Sequence, residues 1–337
     1  MNIKISVIVP TYNSAKTIEA CLCSIINQQE GIASISVSDN ASSDSTIALV
    51  QRVFKDHELL TQSRMQLLLS AHDVNIGAYG NLNSLLSDHR YQSKDCYCYI
   101  LCSDDYFANT NSYNLFLRDI VLSGDLHAII AFTDNTTSMR ERTRILSENK
   151  SQSLLGSRGL ALFFLNGCFL GGLSNICVNV TTLSQAVNFR NDFKYYGDIR
   201  FYVDVLISGG SIWLSNTELA YRRHHKESIS STGNVSNNVY WENLDVSSTM
   251  IDSLCKENKL LLLFLLFYQH SVLLYNFYFA TLKAAITFNF TPALNVLNQS
   301  GMSSMSLVFW CVLSVLMRRP VRILLRIIYT KVLMAIV

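Results

Sequence analysis

Two neighbouring carboxylates, Asp104 and Asp105, stand at the end of an apolar, aromatic-rich run in residues 96–107, CYCYILCSDDYF. Paired carboxylates are hard oxygen ligands of the kind that Mg²⁺ or Mn²⁺ takes while it carries a phosphorylated substrate. The competing reading is a helix cap, with Ser103 or Asp104 accepting from the first turn of a following helix. A second carboxylate, Asp39, closes the short run 34–38 and heads the polar stretch 40–45, where an Asx-turn is the plain alternative. A third, Asp198, precedes an amphipathic run that ends at Gly209, and as an N-cap it needs no further role. Arg222, Arg223 and His224 lie together near residue 220. Arginines there could neutralise phosphate charge, whereas a histidine by itself is most often structural. The nine cysteines are scattered, with no C-x-x-C pair, so structural zinc is not expected. Their odd number and apolar surroundings suit free thiols in a reducing compartment.

The elements that would carry these residues alternate. Residues 3–9 (IKISVIV) form a β-branched run that reads as a buried strand, ended by Pro10, Thr11, Tyr12 and Asn13. Ser14 is placed to open a helix with apolar positions at Ile18, Cys21, Leu22, Ile25 and Ile26. A second strand at 34–38 leads through Thr46 into a helix over 47–54, and a third strand is expected at 65–69. Asn75-Ile76-Gly77 reads as a turn and 79–86 as a helix start. The run 96–102 is apolar on both faces, as a central parallel strand is. This order predicts a doubly wound, mostly parallel α/β sheet, in which ligands bind outside the carboxyl ends of the strands. Asp39 and Asp104–Asp105 both fall at such ends. Farther on, 128–132 (AIIAF) reads as a strand and Asp198 as the head of a helix.

Apolar residues make up 49% of the 337-residue chain and charged residues 15%, against about 25% charged in ordinary globular domains. The charge is uneven. Residues 258–337 hold seven Lys/Arg and no Asp or Glu, which leaves 20 basic against 25 acidic residues in the rest. After a mostly polar linker at 233–238, a helix is expected over 239–257. The apolar run 260–280 is long enough to approach a membrane span but is interrupted by Gln269, His270, Ser271 and Asn276. Residues 318–337 mix Arg and Lys with Ile, Leu and Val, as a basic helix lying in a lipid headgroup plane does. Peripheral membrane attachment is favoured over a span, with a helical oligomer interface as the alternative. No signal peptide is recognised at the N-terminus, so the body is expected to be cytoplasmic.

Several motifs, in order, resemble those of the inverting family 2 glycosyltransferases with the GT-A fold. They are V-I-V-P-T-Y-N, S-D-N-A-S-S-D-S-T, N-I-G-A-Y-G-N-L-N and S-D-D, then G-G-L-S-N, the G-D pair at 197–198, and Y-R-R-H at 221–224. The resemblance covers about residues 3–232. It implies that Pro10, Thr11 and Tyr12 wall a nucleotide pocket, and that Asp39 accepts from the N3–H of uracil. Asn75 and Gly77 would belong to the same donor site. Asn83 stands where the family has a helix-borne Asn, but Leu82 replaces the Arg that often precedes it, which favours a structural role. Asp104, Asp105 and His224 would form the metal site, with Asp104 also contacting the donor, and Arg222 or Arg223 would meet the diphosphate. Asp198 would be the general base, with Asp192 and Asp204 as fallbacks. The sequence departs from the pattern at three places. Cys102 stands where the usual D-x-D has its first carboxylate, Leu173 replaces a Pro, and Gly197 replaces an acidic residue.

The resemblance implies a GT-A catalytic domain over 1–235 and a helical, membrane-associated tail over 236–337. It also implies single-sugar transfer, with inversion, from a nucleoside-diphosphate donor, UDP-linked if Asp39 has its family role. The cofactor would be Mn²⁺ or Mg²⁺, and the acceptor a lipid-linked saccharide at the cytoplasmic face of the inner membrane. Growth of a surface polysaccharide of O-antigen type is the setting this suggests, with no nucleic-acid partner. A processive synthase is disfavoured because its Q-x-x-R-W motif is absent. A sugar nucleotidyltransferase would want a Gly-rich, basic loop where PTYNSAK stands. A non-catalytic scaffold of the same fold remains the other alternative, kept open by Cys102 and Gly197.

Overall fold

The computed structural model describes residues 4–28, 32–60, 65–92, 96–124, 127–134, 152–166, 169–223 and 237–254. The chain divides into two compact units. The first takes in residues 1–159, 168–192 and 197–224; the second, residues 160–167, 193–196 and 225–337.

The first unit is built on one nine-stranded sheet. Its strands are β1 (Lys4–Thr11), β2 (Ile32–Asp39), β3 (Gln66–Ala71), β4 (Cys96–Ile100), β5 (Tyr106–Phe107), β6 (Ile129–Asp134), β7 (Gln152–Leu155), β8 (Ile176–Asn179) and β9 (Ser211–Tyr221). They lie in the order β3-β2-β1-β4-β8-β6-β9-β5, and β7 also pairs with β9. The β3-β2-β1-β4 half is parallel throughout. Beyond it β8 runs against both β4 and β6, β9 runs with β6, and β5 and β7 run against β9. Six strands therefore share one direction, and the mixed α/β sheet is mostly parallel.

Helices α1 (Ile18–Ile26), α2 (Thr46–Leu60), α3 (Ala78–Gln92), α4 (Ser112–Ser123), α5 (Gly156–Asn166) and α6 (Gly197–Ile207) follow in the connections. Side chains alternate between the two faces of a strand. On β1 the odd residues Ile5, Val7 and Val9 join Ile18, Leu22 and Ile25 of α1 and Val50 and Phe54 of α2 in one core cluster. The opposite face meets α3 and carries a polar seam. There Ser34 Oγ donates to Ser6 Oγ at 2.8 Å, and Ser36 Oγ lies 3.0 Å from His89 Nε2. On β4 the odd positions bring Tyr97 and Tyr99 against Phe107, Phe116 and Phe132, with ring centroids 5.1–6.3 Å apart. Edge-to-face and tilted pairs of this kind each contribute about 0.5–1.5 kcal/mol beyond their area. They anchor the strand that ends at the acidic turn.

Several boundaries differ from expectation. β1 continues through Pro10 and Thr11, because both still pair, with Ser38 and Asp39 of β2. Ser14 does not open α1. Residues 14–17 form a turn closed on the Ser14 carbonyl, and the helix begins at Ile18. The acidic turn leads into the two-residue strand β5, so neither Ser103 nor Asp104 caps a helix there.

In the second unit, α7 (Asn237–Leu254) begins inside the stretch expected to be a linker. Its buried Glu242 accepts from the backbone N–H groups of Lys194, Tyr195 and Tyr196 at 2.7–2.8 Å. The apolar run 260–280 and the basic run 318–337 lie outside the described residues. Among the described residues no helix is long and apolar enough to cross a membrane.

Candidate active site

β2 and β3 lie on one side of β1, and β4 lies on the other. The carboxyl ends of β1 and β4 thus flank a topological switch point, where open α/β sheets bind ligands. The chain leaves β4 at Leu101, whose N–H still bonds to Ile8 O at 3.0 Å. It then turns tightly, with Asp105 N–H donating to Cys102 O at 2.9 Å. Ser14 Oγ and Ser103 Oγ lie 2.7 Å apart and tie the β4 turn to the loop after β1.

Asp105 is buried. One carboxylate oxygen accepts from Arg223 N–H at 2.9 Å and the other from Ser174 Oγ–H at 2.6 Å. Burial, reinforced by the charge of Asp104, pushes its carboxyl up to about 6. Ser174 also accepts from Cys102 N–H at 2.9 Å, and its carbonyl receives the Tyr99 hydroxyl. The short 3-10 turn Leu173–Asn175 is thereby fastened to β4 and to the acidic turn together. One potential ligand atom each from Cys102, Asp104 and Asp105 lies within 4.8 Å of the other two, the one such group among the described residues. Two carboxylates and a thiol suit a divalent cation, so the donor set fits the cofactor that the sequence implies. Burial and the two aspartates raise the Cys102 thiol far above its usual range, which keeps it protonated without a cation.

Two arginines follow β9, and their placements differ. Arg223 lays its guanidinium over the Tyr106 ring, 4.9 Å from the centroid, while its backbone serves Asp105. Arg222 lies against Gly172, where a Cβ would stand 3.3 Å from the guanidinium carbon. Its positive charge favours the ionised forms of Asp105 and Cys102. Gly172 thus leaves room for Arg222, while Gly171, at φ +89°, meets a backbone need. His224 lies outside the described residues.

On the β1–β2 side, Asp39 is fully buried. It accepts from Thr11 Oγ1 at 3.0 Å, Ser42 N–H at 2.8 Å and Ser42 Oγ at 2.6 Å. These contacts take three of the roughly four acceptor positions of a carboxylate and leave one on Oδ2. The Asx-turn is therefore present, alongside one spare acceptor position. Tyr12 is 50% exposed beside it. Asn40 links the turn after β3 to this group, donating to Asn75 Oδ1 at 2.9 Å and accepting from Ile76 N–H at 2.8 Å. Gly77, at φ +83°, donates its N–H to Asn75 Oδ1 at 2.9 Å. Pro10, Thr11, Tyr12, Asp39, Asn75 and Gly77 thus gather on three neighbouring strand ends.

Asp198 sits in the first turn of α6, where its Oδ1 accepts from Ile199 N–H at 2.8 Å. The fallback bases are both committed to arginines, Asp192 to Arg190 and Asp204 to Arg200 at 2.9 Å. Asn83 spends its amide on the backbone of Phe189, donating at 2.7 Å and accepting at 2.9 Å, a structural clamp. The absence of a side chain at Gly197 has a steric cause. A Cβ there would lie 2.2 Å from Cε2 of Tyr79, whose ring stacks on Phe189 at 5.6 Å. Tyr79 and Ser174 gave no sequence signal of these roles, although both lie inside quoted motifs.

Residues 6–160, a little under half of the chain, match the family model described as glycosyl transferase family 2. A comparison with curated proteins finds no match. Among solved structures, the mannosyltransferase PcManGT of Pyrobaculum calidifontis, in complex with GDP-Man and Mn²⁺, is 15% identical with TM-score 0.55. It covers 97% of this chain and 86% of its own. S. aureus TarS 1–349 in complex with UDP-GlcNAc is 17% identical with TM-score 0.52, covering 75% of this chain and 71% of its own. Against the longer S. aureus TarS chain, at TM-score 0.50, this chain spans only 42% of that length. At these identities the likeness is one of fold.

Proposed function

We propose that this chain transfers one sugar, with inversion, from a nucleoside-diphosphate donor, UDP-linked, to a lipid-linked saccharide at the cytoplasmic face of the inner membrane. The observation that carries the reading is the Cys102–Asp105 turn at the switch point beside β1, within hydrogen-bonding reach of Ser174 and the end of β9. Neighbours of the same fold, crystallised with UDP-GlcNAc or with GDP-Man and Mn²⁺, support a nucleotide-sugar donor.

Asp104 and Asp105 would hold a divalent cation, which when bound offsets the charge that develops on a departing diphosphate. Ser174 and the Arg223 backbone fix the Asp105 carboxylate. Arg222 is held close by Gly172 and adds a cation for the phosphates. Tyr12, exposed at the end of β1, offers a ring to the base, and the spare acceptor position of Asp39 would meet N3–H of uracil. Asp198 would take the proton from the acceptor hydroxyl as the sugar is displaced. The lipid-linked acceptor, the membrane setting and the surface-polysaccharide role are supported only by the apolar, basic composition of residues 258–337 together with the family resemblance.

Calorimetric titration of the purified chain with UDP, GDP, CDP and dTDP, with and without Mn²⁺, tests the donor site. Cation-dependent UDP binding that disappears in Asp104→Ala is the expected result. Preference for another base removes the role given to Asp39, and binding of none of them leaves a non-catalytic scaffold as the better reading.

A further inference from the structure

The cation site assigned above departs from an all-carboxylate one at Cys102. Its Sγ is one of the three donor atoms that lie within 4.8 Å of one another, beside an oxygen each from Asp104 and Asp105. The residue is only partly buried, and its backbone is fixed from both sides. Its N–H donates to Ser174 Oγ at 2.9 Å, and its carbonyl accepts from Asp105 N–H at 2.9 Å. The backbone on either side of the sulfur is thereby fixed beside the two carboxylates.

We propose that the site is a mixed thiolate–carboxylate one, in which Cys102 Sγ binds the cation directly and selects borderline ions such as Zn²⁺ and Co²⁺ over Mg²⁺. The proposal rests on the reading of the acidic turn as the cation site. On binding, the Cys102 S–H bond breaks, its proton leaves to solvent, and the sulfur pair forms the bond to the metal. Softness sets the preference. Thiolate ligands favour zinc and its neighbours, whereas Mg²⁺ takes oxygen ligands and keeps several waters. Bond lengths of about 2.3 Å to sulfur and about 2.0–2.2 Å to carboxylate oxygen place neighbouring donors roughly 3.5 Å apart in a tetrahedron. Donor atoms that already lie within 4.8 Å of one another need only a small further approach to reach that spacing. The three donors of this turn would leave a tetrahedral ion room for a further ligand, as catalytic zinc sites do. A diphosphate oxygen is the group to fill it.

The test is optical titration of the full-length protein with Co²⁺, read by the sulfur-to-cobalt charge-transfer band in the near ultraviolet, alongside Cys102→Ser and Cys102→Asp. Circular dichroism verifies that both variants fold. One equivalent of Co²⁺ is expected to raise the band in the parent protein only, and Zn²⁺ is expected to abolish it where excess Mg²⁺ does not. Cys102→Ser is expected to lose Co²⁺ affinity about tenfold or more, the scale of lost ligand support at metal sites. Cys102→Asp is expected to bind Mn²⁺ and Mg²⁺ better relative to Co²⁺ than the parent does. The proposal is overturned if the band is absent, or is equal in Cys102→Ser and so arises from another thiol. It is also overturned if Cys102→Asp has the same ion preference as the parent. Calorimetry with UDP on the same samples separates the two failures. Cation-dependent UDP binding without the band refutes the thiolate ligand alone, and absence of both refutes the cation site itself.

Discussion

Replacing Gly197 by alanine should disturb the protein far more than the added methyl suggests, and the cause should be Tyr79. The new Cβ would stand 2.2 Å from Cε2 and 2.4 Å from Cζ of the ring, at least 1 Å inside ordinary contact at 3.4–4 Å. The ring has little room to yield. Tyr79 is 7% exposed and lies flat against Phe189 (interplanar angle 8°), which stacks in turn on Phe201 at 4.0 Å. Overpacking of a closed site typically costs about 1–3 kcal/mol, occasionally more, and with both sides hemmed in a cost near 3 kcal/mol is expected. Tyr79→Ala alone empties a core site and should cost about 3–5 kcal/mol. In that background the clash is gone, and Gly197→Ala should be neutral or gain up to about 1 kcal/mol from helix propensity. The double-mutant cycle therefore predicts a coupling of about 3–4 kcal/mol, favourable to the double variant. Urea unfolding of the four proteins measures it, given an unchanged slope across the set. Equal costs of Gly197→Ala in the two backgrounds would refute the steric account and return Gly197 to a simple loss of a carboxylate.

Two further perturbations follow from the same contacts. Asp105, lifted from 3.8 to about 6 chiefly by burial, binds its proton more tightly folded than unfolded. Stability from this group is thus complete below about pH 4 and lost as the pH rises through 6, a penalty of roughly 3 kcal/mol. Asp105→Asn can keep its oxygen on Arg223 N–H and turn its amide toward Ser174 Oγ. In the presence of a chelator it should unfold later than the parent at about pH 8 and equally near pH 4, and equal stability at both would contradict the shift. Asp44 accepts from Ala15 N–H, Thr46 N–H and Thr46 Oγ1, which together tie the start of α2 to the loop after β1. Asp44→Ala should cost about 1–2 kcal/mol in urea unfolding, and a cost below about 0.3 kcal/mol would show these bonds to be idle.

The half of the sheet that carries the first motifs could be read because each of its strands is an apolar run bounded by turn residues. Runs around Val7, Ile35 and Tyr99 needed nothing beyond period and composition. Pairing decided the ends instead, since Pro10 and Thr11 stay in β1 only because Ser38 and Asp39 lie opposite. Residues 106–155 gave little signal for a related reason. β5 has two residues and β7 four, too few to show a period, and they are strands only because β9 pairs with both. The candidate site was legible in its acids and hardly at all in what holds them. Ser174 and the backbone of Arg223 are chosen by geometry, and neither a serine nor an N–H advertises such a role in a sequence. Gly197 is the sharpest case. The sequence shows a missing side chain, while the structure shows the space already occupied by Tyr79 from another helix.

The distribution of those partners bears on what the matched segment, residues 6–160, can do by itself. The acids of the turn, the strand ends around Thr11 and Asp39 and the Asn75–Gly77 turn all lie within residues 6–160. Both hydrogen bonds given to Asp105 from beyond its own turn come from outside that segment, Ser174 Oγ from the 3-10 turn and Arg223 N–H from the end of β9. So does the strand that closes the far side of β4, since β8 pairs with it through residues 176–179. Without them, β4 would be an edge strand exposing unpaired backbone groups, and Asp105 would lose the two donors that favour its charged form. A buried carboxylate stripped of its donors takes up a proton rather than a cation. The proposed cation site would therefore be a property of the whole first unit. The N-terminal half would supply the ligands, and residues 173–175 and 222–223 would make them usable.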